Sequence, residues 1–383
     1  MEVKKRHEPI YRFFRGLLSP LFKRLLRYYE YDVVEPTQNP TIILANHVTD
    51  FDPMLMSVSF PQQMYFVASE HILRLGLVSR IIKYLAAPIG RTKGRRDAVT
   101  VMEVFRTLKK GKNVCVFAEG NRTFTGKTCE VLASTGKMVR VSGADLVTYK
   151  LTGGYFSSPR WSRSLRKGAM TGRLIGRYTA AQLQLMSAQE VNALIEKDLY
   201  EDAYARQEEE HIAFKGKDLA ENMEIALYIC PKCEQVKTMK SKGNFFSCTC
   251  GYTVEYTQFG ELVGENVIFN STTDWDEWQL KKLPALIEEA GEKPICSDQN
   301  QRIYKVQPAS RSQLIEEGEL KIYRDRLCCG NSSFLISDIS DMAIYGRMTL
   351  AFSTLDGNQY EIKSPFPRSA CIYFELFQIL KKG

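Results

Sequence analysis

Thr41-Ile42-Ile43-Leu44-Ala45-Asn46-His47-Val48-Thr49-Asp50-Phe51-Asp52-Pro53 reads as a buried strand that empties into a polar loop at the start of a helix. The strand part has no polar alternation, as expected where both faces of a parallel sheet are covered. A second stretch repeats the pattern: Val114-Cys115-Val116-Phe117, then Ala118-Glu119-Gly120-Asn121-Arg122-Thr123. In an open parallel α/β sheet, the loops that follow the strands line one crevice. The two stretches therefore predict a single mouth carrying a His, an Asp, a Glu and an Arg.

Around them, residues 33–215 alternate apolar runs and amphipathic stretches. Strands are expected at 41–45, 64–68, 86–89, 113–118 and 146–152, and helices at 53–60, 72–84, 95–110, 128–142 and 188–208. This is the pattern of an α/β domain with a mostly parallel sheet flanked by helices. The Glu-rich end Gln207-Glu208-Glu209-Glu210-His211 marks a boundary near 215. Residues 222–262 hold two close cysteine pairs. Residues 263–383 contain a connecting segment and short alternating runs separated by Gly330, Gly346 and Asp356-Gly357, a small antiparallel β domain. An apolar helix at about 368–381 closes it.

The N-terminal 32 residues differ in character. Ile10, Phe13, Phe14, Leu17, Leu18, Leu21, Phe22, Leu25 and Leu26 fall at helical spacing, with Arg12, Arg15, Lys23, Arg24 and Arg27 between them. Residues 1–30 carry eight Lys or Arg against three Glu. Pro20 is expected to kink or divide the helix. Basic amphipathic helices with aromatic anchors suit an anionic bilayer surface; a terminal helix packed on its own domain fits the pattern equally well. The whole-chain excess, 52 Lys plus Arg against 44 Asp plus Glu, is too small to imply nucleic acid. There is no apolar run of the roughly 18 residues that a spanning helix needs, and no signal-peptide pattern. The ten cysteines do not form a secreted disulfide framework. A peripheral protein on the cytoplasmic face of a membrane is the expectation.

At the mouth, His47 is a general-base candidate near neutral pH. Asp52, five residues on, or Asp50, three on, can hold its ring if the chain turns before a helix that begins at Pro53. Asp-Pro is also an N-cap signature. Gly120 lets backbone amides approach an anion, and Arg122 can clamp a phosphate with two parallel bonds. Glu119 is placed to bind a glycerol hydroxyl or to hold Arg122. A third loop, Gly90-Arg91-Thr92-Lys93, adds Arg91, with Arg95 and Arg96 at a probable helix start. Taken singly, each of these is an ordinary strand-end His, surface Glu–Arg pair or solvated helix start. Together they suit acyl transfer to a phosphorylated alcohol.

Asn46-His47, Asp52, Gly90-Arg91 and Phe117-Ala118-Glu119-Gly120-Asn121-Arg122-Thr123, in this order and spacing, resemble the glycerolipid acyltransferase family, best known from 1-acylglycerol-3-phosphate acyltransferases. The resemblance spans roughly residues 10–210. It implies that His47 deprotonates a glycerol hydroxyl with support from Asp52, and that the alkoxide attacks an acyl thioester without an acyl-enzyme. It implies that Arg122, with Glu119, Gly120, Arg91 and Asn46, binds the phosphorylated acceptor. It also implies an N-terminal helical pair on the membrane. Ala118 departs from the family's usual Pro, and Thr148-Tyr149-Lys150-Leu151-Thr152-Gly153 stands for its later Pro-Val block. These departures bear on substrate preference more than on reaction type. The expected reaction acylates lysophosphatidic acid to phosphatidic acid, with acyl-CoA or acyl carrier protein as donor. Rival readings are glycerol-3-phosphate or another lysophospholipid as acceptor, or a non-catalytic lipid- or partner-binding protein that keeps the fold.

Cys230-Pro-Lys-Cys233 and Cys248-Thr-Cys250 supply four soft ligands on two knuckles, the pattern of a structural Zn²⁺ in a zinc ribbon. Strands at 225–229 and 252–256 are expected to flank them. The tail resembles a small pleckstrin-homology-like domain in its topology.

Overall fold

A computed structural model describes residues 6–32, 34, 35, 37–69, 80, 84, 86–91, 98–307 and 312–382. The chain divides near residue 216 into two compact units, residues 161–163 grouping with the second. The expected helix 72–84 and the basic residues Lys93, Arg95 and Arg96 lie outside the described residues.

Among the described residues of the first unit, β1 (Tyr28–Glu30), β2 (Thr41–Ala45), β3 (Met64–Ser69), β4 (Ile89–Arg91), β5 (Asn113–Phe117), β6 (Asp145–Thr152) and β7 (Met170–Tyr178) form one sheet in the order β1-β7-β6-β2-β5-β3-β4. Strands β6, β2, β5, β3 and β4 run parallel; β7 is antiparallel to β6, and β1 is parallel to β7. The β2 side chains explain why its sequence shows no alternation. Ile43 and Ala45 enter one core with Leu55, Met56 and Val58, while Ile42 and Leu44 enter the other with Val104, Leu108, Val139, Val191 and Ile195. Helices cover both faces, so no position of β2 meets water.

Helix α1 (His7–Leu26) is a single helix that continues through Pro20, so the expected division there is not found. A proline removes one N–H, and this helix is fastened on either side of the loss. Tyr11 Oη donates to the carbonyls of Ser57 and Phe60 at 2.9 Å, and Arg15 Nε donates to that of Val58 at 3.1 Å. These are unpaired carbonyls at the end of α2 (Asp52–Ser59). At the other end Leu26 is buried with Phe22 packed beside it. Packing uses one face only. Phe13, Leu17, Leu21 and Leu25, at steps of four, are each more than half exposed. Among the described residues no helix is long and apolar enough to cross a membrane.

Other boundaries move for local reasons. The expected helix 128–142 begins only at Ser134, because Thr128 and Cys129 donate their amides to Glu201 and Glu119. The expected 188–208 helix is two, Ala188–Leu199 and Ala203–Glu210, each with its own N-cap, Ser187 and Asp202. The expected strand 86–89 forms at Ile89–Arg91. Strand β7 went unread because Gly172 and Gly176 interrupt its pattern; a Cβ on Gly172 would lie 1.9 Å from Tyr28 Oη.

In the second unit, Met239–Lys242, Phe245–Cys248, Thr253–Tyr256 and Leu262–Val263 form a small antiparallel sheet. The expected strand at 225–229 is instead a 3₁₀ turn, Met223–Ile225, followed by one bridge from Ile229 to Val236. The amides of Tyr228 and Ile229 donate to Gln279 Oε1 instead of to a strand. The antiparallel β region of the tail is present. Its order is Ser332–Leu335, Arg326–Cys329, Gln313–Ile322, Cys296–Lys305, Gln359–Lys363, Thr349–Thr354, Ile339–Tyr345, closed by the helix Cys371–Lys382. A helix absent from the sequence reading, Thr272–Ala290, starts at the N-cap Ser271 and runs through Pro284.

Candidate active site

Because β2, β5 and β6 are parallel neighbours, the loops after Ala45, Phe117 and Thr152 open on one edge of the sheet. His47 follows β2. Its Nδ1 lies 2.7 Å from Asp52 Oδ2, and its ring stacks on Phe117 with centroids 4.5 Å apart. The ring is 23 % exposed and Asp52 fully buried. Asp52 does not cap α2. Its carboxylate turns back on the preceding loop and accepts the amides of Val48 at 2.7 Å and Thr49 at 3.0 Å, and the Thr49 hydroxyl at 2.6 Å. These donors fix the carboxyl group where it can hold Nδ1–H. Nε2 is then the nitrogen left to accept a proton from a bound hydroxyl.

Asp50, the alternative partner of the ring, does something else. It pairs with Arg122, Nη1 to Oδ1 at 2.6 Å. The side chain is largely exposed; the protein atoms around it oppose its ionisation, but the Arg122 guanidinium outweighs this and holds the carboxyl below the usual carboxylate range.

The second loop departs from both roles expected of Glu119. Its Oε1 accepts the backbone N–H of His47 and its Oε2 that of Cys129, each at 2.6 Å. Both oxygens are engaged by backbone, and Arg122 pairs with Asp50 rather than with Glu119. Burial pushes the Glu119 carboxyl up to about 8 against the pull of those two donors. Asn46 is also spent internally: Nδ2 donates to Leu151 O at 2.8 Å and Oδ1 accepts Leu151 N–H at 2.7 Å, which pins the loop to β6. Gly120 has φ +66°, and a Cβ there would lie 2.8 Å from Arg91 Nη1. Arg91, at the end of β4, therefore packs its guanidinium against the turn that leads to Arg122.

Ser158 and Arg160 belong to the tract Gly153–Trp161, which the sequence offers as a wall of the acyl or head-group site, and both touch Arg122. Ser158 O accepts Arg122 Nη2–H at 3.0 Å, and Arg160 Nη1 donates to Arg122 O at 2.7 Å. The tract from Gly153 onward also seats the His47 loop, since a Cβ on Gly154 would lie 2.4 Å from Val48 Cγ2 and 2.9 Å from Thr49 Cγ2. The glycine pair in the sequence was the available signal: a close approach demands Gly.

In the second unit the four cysteines converge, all sulfurs within 4.8 Å of one another. Cys230 Sγ is 3.8 Å from Cys250 Sγ, and Cys233 Sγ is 3.7 Å from Cys248 Sγ. A tetrahedron with Zn–S bonds of about 2.3 Å has edges of about 3.8 Å, so the sulfurs fit that ion. Beneath them Trp275 is buried, donates Nε1–H to Ile229 O at 2.9 Å and packs on Phe246 and Tyr252.

Comparison with known proteins gives one family match: residues 27–151 match the model described as Acyltransferase. The chain is 23 % identical over 117 residues to a 1-acyl-sn-glycerol-3-phosphate acyltransferase of Borreliella burgdorferi, covering 30 % of this chain and 47 % of that protein. It thus spans about half the length of the curated relative that it matches. Among solved structures, the 1-acyl-sn-glycerophosphate (LPA) acyltransferase PlsC from Thermotoga maritima aligns with 49 % of this chain and 78 % of its own, at 18 % identity and a TM-score of 0.43.

Proposed function

We propose, from the premise that residues 27–151 are a domain of the acyltransferase family, that this chain transfers a fatty acyl group from an acyl thioester to lysophosphatidic acid and so forms phosphatidic acid. The observation that carries the reading is the His47–Asp52 pair at 2.7 Å in a loop whose neighbour strand ends in Glu119-Gly120-Asn121-Arg122. The name of the Borreliella relative supports the choice of acceptor.

In this reading His47 Nε2 takes the proton of the acceptor's free hydroxyl while Nδ1–H stays bonded to Asp52, which stabilises the imidazolium that forms. The alkoxide oxygen attacks the thioester carbonyl. The tetrahedral intermediate collapses by expelling thiolate, of acyl-CoA or acyl carrier protein, and the imidazolium returns its proton to that sulfur. Arg122 and Arg91 are the cations that receive the acceptor's phosphate. The exposed row Phe13, Leu17, Leu21 and Leu25 supports peripheral docking of α1 on a membrane surface, and the reading places that surface on the cytoplasmic face. Cys230, Cys233, Cys248 and Cys250 hold a structural Zn²⁺, which closes the ribbon and takes no part in the reaction.

The test is acyl transfer by the full chain to lysophosphatidic acid in anionic liposomes, with acyl-CoA and acyl carrier protein donors compared and His47→Ala beside it. Phosphatidic acid made by the wild type and lost in the variant supports the reading. Lysophosphatidic acid bound but never acylated by any donor overturns it in favour of a lipid-binding role.

A further inference from the structure

Arg122 is held as an unusual cation. It is only 7 % exposed. Nη2 is committed to Ser158 O, and Nε is buried without a hydrogen-bond partner among the described residues. Asp50, the anion paired with it among the described residues, is 79 % exposed and offers a single oxygen to Nη1. A guanidinium presents parallel N–H pairs that match two oxygens of one anion, and Asp50 meets a single nitrogen, so it answers the charge without filling such a pair. Asp50 also sits in the loop that carries His47, two residues from Asp52, yet the task of holding the His47 ring belongs to Asp52.

We propose that Asp50 is a displaceable stand-in for the acceptor's phosphate on Arg122, and that this makes the site selective for a phosphomonoester over an uncharged acceptor. The inference rests on the acyltransferase reading above and deepens it. A phosphomonoester brings three oxygens and up to two negative charges. It can take the place of Asp50 on Nη1 with more charge, and it releases a carboxylate that returns to water at little cost because it was mostly solvated. An uncharged glyceride cannot exchange with an ion pair. It leaves Asp50 in place and gains no ion pair to orient it. The phosphate chemistry is common to a lysolipid head group and to soluble glycerol-3-phosphate, and separate arms distinguish them.

The experiment uses the full chain as wild type, Asp50→Asn, Arg122→Gln and the double variant, with Asp50→Ser as a second replacement and thermal melting as the folding control. Binding of lysophosphatidic acid in vesicles, of soluble glycerol-3-phosphate and of monoacylglycerol in vesicles is measured, with KM where turnover occurs. Removing the stand-in should tighten binding and lower KM for the phosphorylated ligand by roughly twofold to fivefold, the scale of one exposed ion pair. Monoacylglycerol should not change, and the gain should vanish in the Arg122→Gln background. Weaker phosphate binding in Asp50→Asn, equal tightening for monoacylglycerol, or a gain that survives in Arg122→Gln overturns the inference. So does a wild type that binds no phosphorylated ligand. A wild type that binds phosphate but transfers no acyl group overturns the acyltransferase reading instead, while the binding arms still decide the role of Asp50.

Discussion

The side chain of Glu119 accepts the backbone N–H of His47 at 2.6 Å, tying together two loops whose residues lie 72 positions apart. With its other oxygen it accepts Cys129 N–H, also at 2.6 Å. Glu119 is therefore the clasp between the loop of the proposed base and the loop of the proposed phosphate clamp. Glu119→Ala leaves two buried donors without an acceptor and should cost roughly 2–4 kcal/mol of stability. Turnover should fall with it through kcat more than KM, because the group displaced is His47. Urea unfolding and steady-state kinetics on the same preparation check both.

The clasp also has a pH signature. Burial pushes the Glu119 carboxyl up to about 8 in the folded protein, whereas in the unfolded chain it titrates near 4.3. Between these values the folded state holds a proton that the unfolded state has lost, so stability is greatest at the acid end and declines as pH rises through this window. The decline is at most roughly 1.4 kcal/mol per pH unit. Melting temperatures of wild type and Glu119→Gln between pH 5 and 9 should diverge in slope, only the wild type carrying this contribution. Parallel slopes would mean that Glu119 stays ionised.

His47→Ala and Asp52→Asn address the base and its holder. Each should lower kcat about 10²–10⁴-fold. Asp52→Asn should also soften the loop, since a carboxylate that accepts three donors from Val48 and Thr49 is replaced by an amide with one acceptor oxygen. Product formation measured at saturating acceptor separates these losses from binding.

Gly154→Ala tests the seat of the loop. The new methyl would meet Val48 Cγ2 at 2.4 Å and Thr49 Cγ2 at 2.9 Å, so the Val48–Thr49 segment has to move. Overpacking of this kind costs typically 1–3 kcal/mol. Activity should drop further than stability does, as comparison of kcat with the melting temperature would reveal.

If the four cysteines hold Zn²⁺, elemental analysis of the full chain should find one zinc per chain. Cys230→Ser should lose it and lower the melting temperature, because metal binding energy is folding energy at such a site. Retained stability after complete chelation would count against a structural metal.

On the membrane side, replacing Leu17 and Leu21 by Glu should release the protein from anionic vesicles in a flotation assay. Turnover of a short-chain, water-soluble acceptor should persist. Tyr11 and Arg15, which fasten α1 to the end of α2, are untouched by these changes.

The sequence alone determined the parallel α/β layer around Thr41–Ala45 and Asn113–Phe117, since an apolar run without alternation can only be covered on both faces. It determined the residues of the mouth and the two cysteine knuckles, whose spacing is local chemistry. It did not contain the division of labour within that mouth. Asp50 and Asp52 stand two residues apart with the same side chain, and no local pattern says that one holds His47 and the other Arg122. Glu119 and Asn46 looked like ligands for substrate because a sequence does not show which backbone amides lack acceptors. The tertiary structure decided these points by bringing His47 N–H, Cys129 N–H and the Leu151 backbone to them. Once such polar groups leave water together, leaving one unpartnered is costly, and which side chain becomes its partner depends on strands that are neighbours in the sheet and distant in the chain.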